Sequence, residues 1–425
     1  MTKDQILKAL SHRLTRLRSR LLDVADAFAG KVSALPPAVE VGSETGIGIV
    51  GCGFVADFYA ANLTLHPELR LVGSTDLDGS RAEQFAARNG GKVYATVDDL
   101  LADPSIAVVV NLTNPASHFE VTKASLNADK HVYSEKPLAT DTSDARELVA
   151  LASSRGRILA SAPCSVLSES AEAMRAAVRR GDIGQVRLAY AELDDGPIHQ
   201  MHPEEWSSPA GTPWPWRDEF TVGCTIEHAS YPLTWLVAMF GPVSSVVAFS
   251  TTIVPAKHPD LPHEQCGPDF SVAAIQFASG LVARLTCSIV APHDHSLRLV
   301  GDQGVLTVDE CWHFGAPLTI HRFSELGLRA ETYPWLTRHA WARTLFGIGG
   351  TKSNLSPKAS WRRWLRRHEM DYALGVAELA ASLRDGRPCR LSADLALHVT
   401  EVARAVSDAR VQGQSVVILS ACSPL

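Results

Sequence analysis

"GIGIVGCGFVADFYAANLTLH", Gly46 to His66, is the stretch that decides the fold. It holds two overlapping glycine registers. Gly46-x-Gly48-x-x-Gly51 needs a strand before Gly46, yet the preceding "VGSET" is polar and turn-like. Gly51-x-Gly53-x-x-Ala56 follows the apolar run Ile47 to Val50, which reads as a buried strand, and opens a helix-like segment. In that second register Gly51 makes the turn, Gly53 lets a pyrophosphate approach the backbone, and Ala56 allows close helix packing. The helix start at Gly53, Phe54 and Val55 then presents unpaired amides to negative charge. Alone, the glycine turn is a weak signal, because a nucleotide-free α/β turn carries the same residues.

Its surroundings strengthen it. The next strand-like run, "LRLVGSTD", ends at Asp76, placed to hydrogen-bond ribose hydroxyls. A carboxylate there repels a 2′-phosphate, so the pattern favours NAD, and Arg81 nearby keeps NADP as the alternative. A helix from Arg81 to Asn89, the strand "IAVVVNLT", a helix from Ser117 to Ala128, the strand "HVYSE" and a helix from Asp144 to Ser154 continue the alternation. Strands and helices alternating in this way predict a Rossmann-type, doubly wound parallel sheet over residues 46–163. From residue 164 to 425 the texture changes. "DFSVAAIQFASGLVARLTCSIV" and "HSLRLVGDQGVLTVDE" each read as two strands about a glycine turn. Hairpins predict a second, α+β domain with an open, mostly antiparallel sheet. The fold class is therefore α/β in the first domain and α+β in the second.

Bulk properties set bounds on this reading. A chain of 425 residues exceeds one typical core, and 46% hydrophobic with 20% charged residues describes an ordinary globular protein. A net charge of −6 gives no reason to expect nucleic acid. Eight cysteines without a C-x-x-C pair suit a reducing compartment, and a cytoplasmic location is expected. Residues 1–45 stand apart as a helical arm and linker. Leu10, Leu14, Leu17, Leu21, Val24 and Phe28 form an apolar stripe, and Arg13, Arg16, Arg18 and Arg20 crowd the polar face. Packing on this chain or a sister subunit is the plainer reading; contact with an anionic membrane surface is the sharper one.

Two further motifs make a family resemblance specific. "NLTNPASHFE" (Asn111 to Glu120) ends one strand, and "ADKHVYSEKPLA" (Ala128 to Ala139) carries Glu135-Lys136-Pro137. With the glycine turn, the D-x-D after the second strand and "GDIGQV" (Gly181 to Val186), the chain resembles the Gfo/Idh/MocA family of sugar and cyclitol oxidoreductases. The resemblance covers residues from Gly46 onward and leaves the N-terminal arm outside. It implies that Thr113, Asn114, Pro115 and His118 line the cofactor, that Glu135 and Lys136 sit at the nicotinamide, and that the protein forms homo-oligomers. A lysine there can hydrogen-bond the reacting hydroxyl and stabilise developing alkoxide charge.

The family also places an Asp and a His four residues apart on one helix, the His serving as proton-transfer partner of the Lys. In "CTIEHASYPLTW" (Cys224 to Trp235), counting back from "MFG" puts Glu227 at the Asp position and Tyr231 at the His position. Either His228 is the acid/base in a displaced register, or the site uses a phenol. The i, i+4 spacing of Glu227 and Tyr231 favours the phenol. Glu227 is then expected to orient the phenol or bind substrate hydroxyls, with a purely structural carboxylate as the plainer view.

Other segments carry weaker signals. Trp206, Trp214, Trp216 and Arg217 either shape a carbohydrate pocket or merely pack. His199 with His202, His293 with His295, and His258 with His263 and Cys266 have metal-like spacings but lack third and fourth ligands in sequence, so no metal is expected. Residues 335–368 contain Arg and Lys without an acid, a solvated basic face or an anion site. The expected function is hydride transfer between NAD(P) and a secondary alcohol or ketone of a sugar, sugar derivative or nucleotide sugar. An NAD-dependent glycoside hydrolase and a non-catalytic cofactor or sugar sensor stand as alternatives.

Overall fold

The computed structural model describes residues 44–329, 332–345, 350–352, 370–409 and 414–425. The N-terminal arm (residues 1–43 of it) and residues 353–369 of the basic segment lie outside these. In the described part of that segment, Arg338, Arg343 and Lys352 are exposed.

The first layer is a six-stranded sheet in the order β3-β2-β1-β4-β5-β6. Its strands are β1 (Thr45–Val50), β2 (Leu69–Thr75), β3 (Lys92–Val93), β4 (Val108–Asn111), β5 (His131–Ser134) and β6 (Leu159–Ser161). All neighbours pair in parallel. The order reverses between β1 and β4, and ligands of such sheets bind outside the carboxyl ends of the strands at that point. Gly46 and Gly48 lie inside β1, so the functional turn is the second glycine register. Gly51 has φ +94°, and a Cβ there would lie 2.7 Å from the Leu112 carbonyl carbon, so only glycine fits. The helix Phe54–Leu63 follows, burying Ala56, Tyr59 and Ala60 on one face at i, i+3, i+4 spacing.

The second sheet has nine strands in the order β14-β13-β12-β11-β7-β10-β9-β8-β15. They are β7 (Val186–Asp194), β8 (Val243–Thr251), β9 (Phe270–Phe277), β10 (Val282–Ser288), β11 (Leu297–Gly301), β12 (Gly304–Val308), β13 (Thr319–Arg322), β14 (Thr351–Lys352) and β15 (Ser415–Val417). The expected hairpins are β9–β10 and β11–β12. Among the described residues only the central β7–β10 pair is parallel, because the chain leaves β7 through the long helical crossover before returning. Burial alternates through the middle of the strands: Val246, Ala248, Ala273, Ile275, Ala283 and Leu285 are buried, while Val247, Phe249 and Arg284 face outward.

The last two helices return to the first sheet. Leu374–Asp385 packs Gly375 against Tyr133 so closely that a Cβ would overlap the phenol. Ala393–Ser407 lies on the helix Thr142–Ser154, adding Leu397 to the cluster of Leu126, Val132, Leu138 and Leu148. The boundary read near residue 163 thus separates two sheets but not two independent cores.

Candidate active site

The cofactor side of the site is built from loops at the carboxyl ends of β1, β2, β4 and β5. At Gly53 a Cβ would meet nothing within 4 Å, so the turn presents open backbone. No side chain caps the first amides of the helix Phe54–Leu63, which leaves Phe54 and Val55 at an anion-ready N-terminus. Asp76 closes β2: its Oδ2 accepts from the Cys52 amide at 2.7 Å and its Oδ1 from the Asp78 amide at 2.8 Å. Those bonds fix the carboxylate beside the glycine turn while leaving lone pairs free. Arg81 reaches Asp78 at 3.6 Å in an exposed pair. An uncapped helix start, a backbone cradle and a fixed carboxylate together fit an adenine dinucleotide.

After β4, the Thr113 hydroxyl donates to Asn111 Oδ1 at 2.7 Å, and Asn114 precedes a short 3-10 turn at Pro115–Ser117. Asn114 is exposed and Thr113 and Pro115 are half-buried. His118 differs from the expectation of a lining residue. It is buried, with Nδ1 2.6 Å from the Pro137 carbonyl and Nε2 3.1 Å from the Thr113 carbonyl. Burial lowers its pKa below the ordinary imidazole value, against the two carbonyl contacts. His118 therefore braces the loops after β4 and β5 from behind.

Glu135 is also a brace. The Tyr59 hydroxyl donates to its Oε1 at 2.8 Å, and the Lys136 amide donates to its Oε2 at 2.9 Å. The helix that starts at the glycine turn is thereby tied to the turn bearing Lys136. Nothing in local spacing announces Tyr59; its partner lies 76 residues away.

Lys136 meets the second layer directly. Its Nζ donates to Glu227 Oε2 at 2.6 Å, and both side chains are largely buried. Burial alone would lower the lysine pKa, but Glu227 and Glu135 outweigh it and hold the ammonium above its usual value. Burial likewise opposes the Glu227 carboxylate, and Lys136 overcomes that and holds it below the usual range. The pair is charged at neutral pH.

The stretch Cys224–Trp235 forms two helices, Cys224–His228 and Ser230–Phe240, with Ala229 still near helical geometry between them. Glu227 serves Lys136 rather than the phenol of Tyr231. Tyr231 is buried, its ring stacked on Trp312 with centroids 4.3 Å apart and planes 21° apart. Burial first, then Glu135, Tyr372, Cys164 and Glu227, pushes its pKa well above the ordinary value. Base chemistry would need the opposite shift. His228 turns elsewhere: Nε2 lies 3.3 Å from Glu219 Oε1 and 3.8 Å from Asp195 Oδ2. Burial opposes its charge, but these carboxylates raise its pKa nonetheless.

The tryptophan-rich loop packs on itself. Trp206 and Trp214 contact at 4.9 Å, Trp216 lies 4.1 Å from the His258 ring, and Arg217 sits over Trp216 at 4.4 Å. Its anchor is Asp57 of the cofactor helix, which accepts from Ser208, from Thr212 at 2.7 Å and from Arg88 at 2.9 Å. Folding brings Asp195 to His293 and His295, and Glu310 and His313 to His295, neighbours that sequence order does not show.

The comparisons with known proteins agree with this geometry. Residues 45–162 match the family model described as oxidoreductase family, NAD-binding Rossmann fold, and residues 171–307 match the GFO/IDH/MocA C-terminal domain. The chain belongs to the Gfo/Idh/MocA family. It is thus an NAD(P)-dependent oxidoreductase. It is 26% identical to trans-1,2-dihydrobenzene-1,2-diol dehydrogenase of Bos taurus over 62% of this chain and 74% of that protein. It is 27% identical to dTDP-3,4-didehydro-2,6-dideoxy-alpha-D-glucose 3-reductase of Saccharopolyspora spinosa, over 79% of this chain and 98% of that protein. Among solved structures, the WlbA dehydrogenase from Bordetella pertussis, in complex with NADH and UDP-GlcNAcA, superposes with a TM-score of 0.65. That match has 16% identity and covers 90% of this chain and 99% of WlbA.

Proposed function

We propose that the protein interconverts a secondary alcohol and a ketone on a sugar, sugar derivative or nucleotide sugar. The observation that carries this reading is the Lys136–Glu227 pair at 2.6 Å, buried where the loop after β5 meets the second sheet's helices. The nicotinamide, when bound, supplies the hydride acceptor or donor. This chain's residues manage the oxygen and its proton. Lys136, charged and held by Glu227, donates a hydrogen bond to the substrate oxygen and stabilises negative charge as it develops. Tyr231, kept protonated by burial, donates a hydrogen bond to the oxygen of a ketone under reduction and so shares the proton handling with Lys136. The reductase named among the relatives and the sugar nucleotide bound to WlbA support a carbohydrate substrate of this class.

A spectrophotometric screen of sugars and nucleotide sugars with NADH and NADPH tests the reading. Turnover with a keto sugar is expected, with NADH preferred because Asp76 meets the ribose. No nicotinamide-linked turnover with any member of the class would overturn it.

Tyr231→Phe keeps the stack on Trp312 and removes only the hydroxyl. We expect kcat for reduction to fall about 10²-fold, the lower range for a lost proton donor, with unfolding unchanged. An unaltered kcat returns the proton to Lys136 alone.

Val247 and Phe249 of β8 and Val282 of β10 face outward on the second sheet, and these exposed apolar residues support a homo-oligomer built through that face. A monomeric mass in sedimentation at micromolar concentration removes that part of the proposal. Among the described residues no helix is long and apolar enough to cross a membrane.

A further inference from the structure

We propose that Asp195, His293 and His295 bind a divalent transition-metal ion of the zinc class, with Glu310 orienting His295. The three ligands come from neighbouring strand ends. Asp195 follows β7, His293 and His295 precede β11, and Glu310 follows β12; β7, β11 and β12 are adjacent. Bridges Asp194 to Asp294 and His295 to Glu310 lock these ends together.

The distances suit coordination. His295 Nε2 lies 3.3 Å from Asp195 Oδ1, and His293 Nδ1 lies 3.9 Å from the same oxygen. One ligand atom from each of the three residues falls within a common 4.8 Å. Tetrahedral sites with bonds of about 2.0–2.1 Å space their ligand atoms by about 3.3 Å, so small side-chain shifts complete the site.

The second observation is His295 itself. It is 1% exposed, and its Nε2 is turned to Asp195 Oδ1 at 3.3 Å with no hydrogen bond of good geometry. Its other nitrogen, Nδ1, lies 3.1 Å from Glu310 Oε1. Donation of Nδ1–H to a carboxylate leaves Nε2 as a lone pair aimed at Asp195 and His293, the carboxylate–histidine–metal arrangement. Two imidazoles and one carboxylate select zinc-type ions over calcium or magnesium and leave a coordination position open. His293 is 55% exposed and provides the entry path.

The site adjoins the proposed substrate space. Trp312 stacks on His295 at 5.2 Å and on Tyr231 at 4.3 Å, so one indole separates the ligands from the phenol. Without metal, the cluster has another occupant. Burial opposes a charged His295, yet Asp195 and Glu310 outweigh it and push its pKa up to about 9, so a proton sits there instead. The exposed trio His202, Glu204 and Glu205 has no such buried member and serves as a control.

The test uses full-length protein stripped with a chelator and titrated with Co²⁺, following its visible d–d absorption, then with Zn²⁺. Binding of a single equivalent is expected, with bands of a low-coordinate N/O site that Zn²⁺ bleaches. His295→Gln and Asp195→Asn should abolish those bands. Glu310→Gln should keep them but weaken affinity about 10–100-fold, and His202→Ala should change nothing. Absence of bands in the wild-type protein overturns the proposal, and so does their survival in both ligand variants. The wild-type measurement alone is decisive if a variant fails to fold, and NADH fluorescence reports folding independently of metal.

Discussion

Replacing Lys136 by methionine is expected to lower kcat by about 10²–10⁴-fold while leaving NADH affinity within a few-fold of wild type. The methionine keeps the apolar stem and removes only the ammonium. Cofactor contacts predicted at the glycine turn and Asp76 are built on other strands and do not pass through this side chain. The turn's backbone also survives, because the residue 136 amide still donates to Glu135 Oε2. What is lost is the charge that faces the developing alkoxide in a site largely closed to water, where a single donor is worth several kcal/mol. Steady-state kinetics with the substrate found in the screen, alongside a fluorescence titration with NADH, separates the two effects. A kcat within tenfold of wild type would remove Lys136 from the chemistry.

Glu227→Gln has the second-largest expected effect, and it acts through Lys136. The amide keeps a hydrogen-bond acceptor for Nζ but removes the charge that holds the lysine proton. Burial, which lowers the lysine pKa, is then opposed mainly by Glu135. The alkaline limb of the kcat–pH profile therefore moves to lower pH. Loss of one partner from a buried pair also destabilises the fold, by about 3 kcal/mol near neutral pH. The pH window follows from the two shifts. Lys136 has a raised folded pKa, so its contribution is full below its unfolded value and disappears as pH rises through the folded one. Glu227 has a lowered folded pKa, so its contribution is present above its unfolded value and disappears as pH falls through the folded one. Urea midpoints of wild type and variant should thus differ most between these limits and converge at both ends. A difference that stayed constant across pH, with an unmoved alkaline limb, would make Glu227 a packing residue only.

Much of the fold was legible because its signals are local. Gly51 is required by a positive φ, and the strands on either side of it are short apolar runs. The β9–β10 turn holds Gly280 at φ +88°, and the β11–β12 turn, Asp302–Gln303, is flanked by the paired Gly301 and Gly304. Ser168 before the helix Glu169–Arg179 and Gly181 after it are similarly local, the serine accepting from the Ala171 amide and the glycine adopting φ +69°. The site was only half legible. His118 read as a lining residue is turned inward, because the carbonyls of Thr113 and Pro137 converge on its ring from two loops. Glu227, read as orienting the phenol or binding substrate hydroxyls, pairs with Lys136, and the tryptophans, read either as a carbohydrate pocket or as packing, lie with Trp206 on Trp214 and Trp216 on His258.

By itself, the sequence determined the glycine turn, the parallel sheet, the hairpins, the Glu135-Lys136 turn and the family to which they point. Each is encoded within a few neighbouring residues, where backbone geometry leaves little choice. Only the tertiary structure decided which side chains meet. Glu227 reaches Lys136 across 91 residues, Thr212 reaches Asp57 across 155, and Asp195 joins His293 and His295 from a different strand end. The reason is physical. Such contacts depend on the order and register of strands in a sheet and on how its faces are covered, and no local spacing records either.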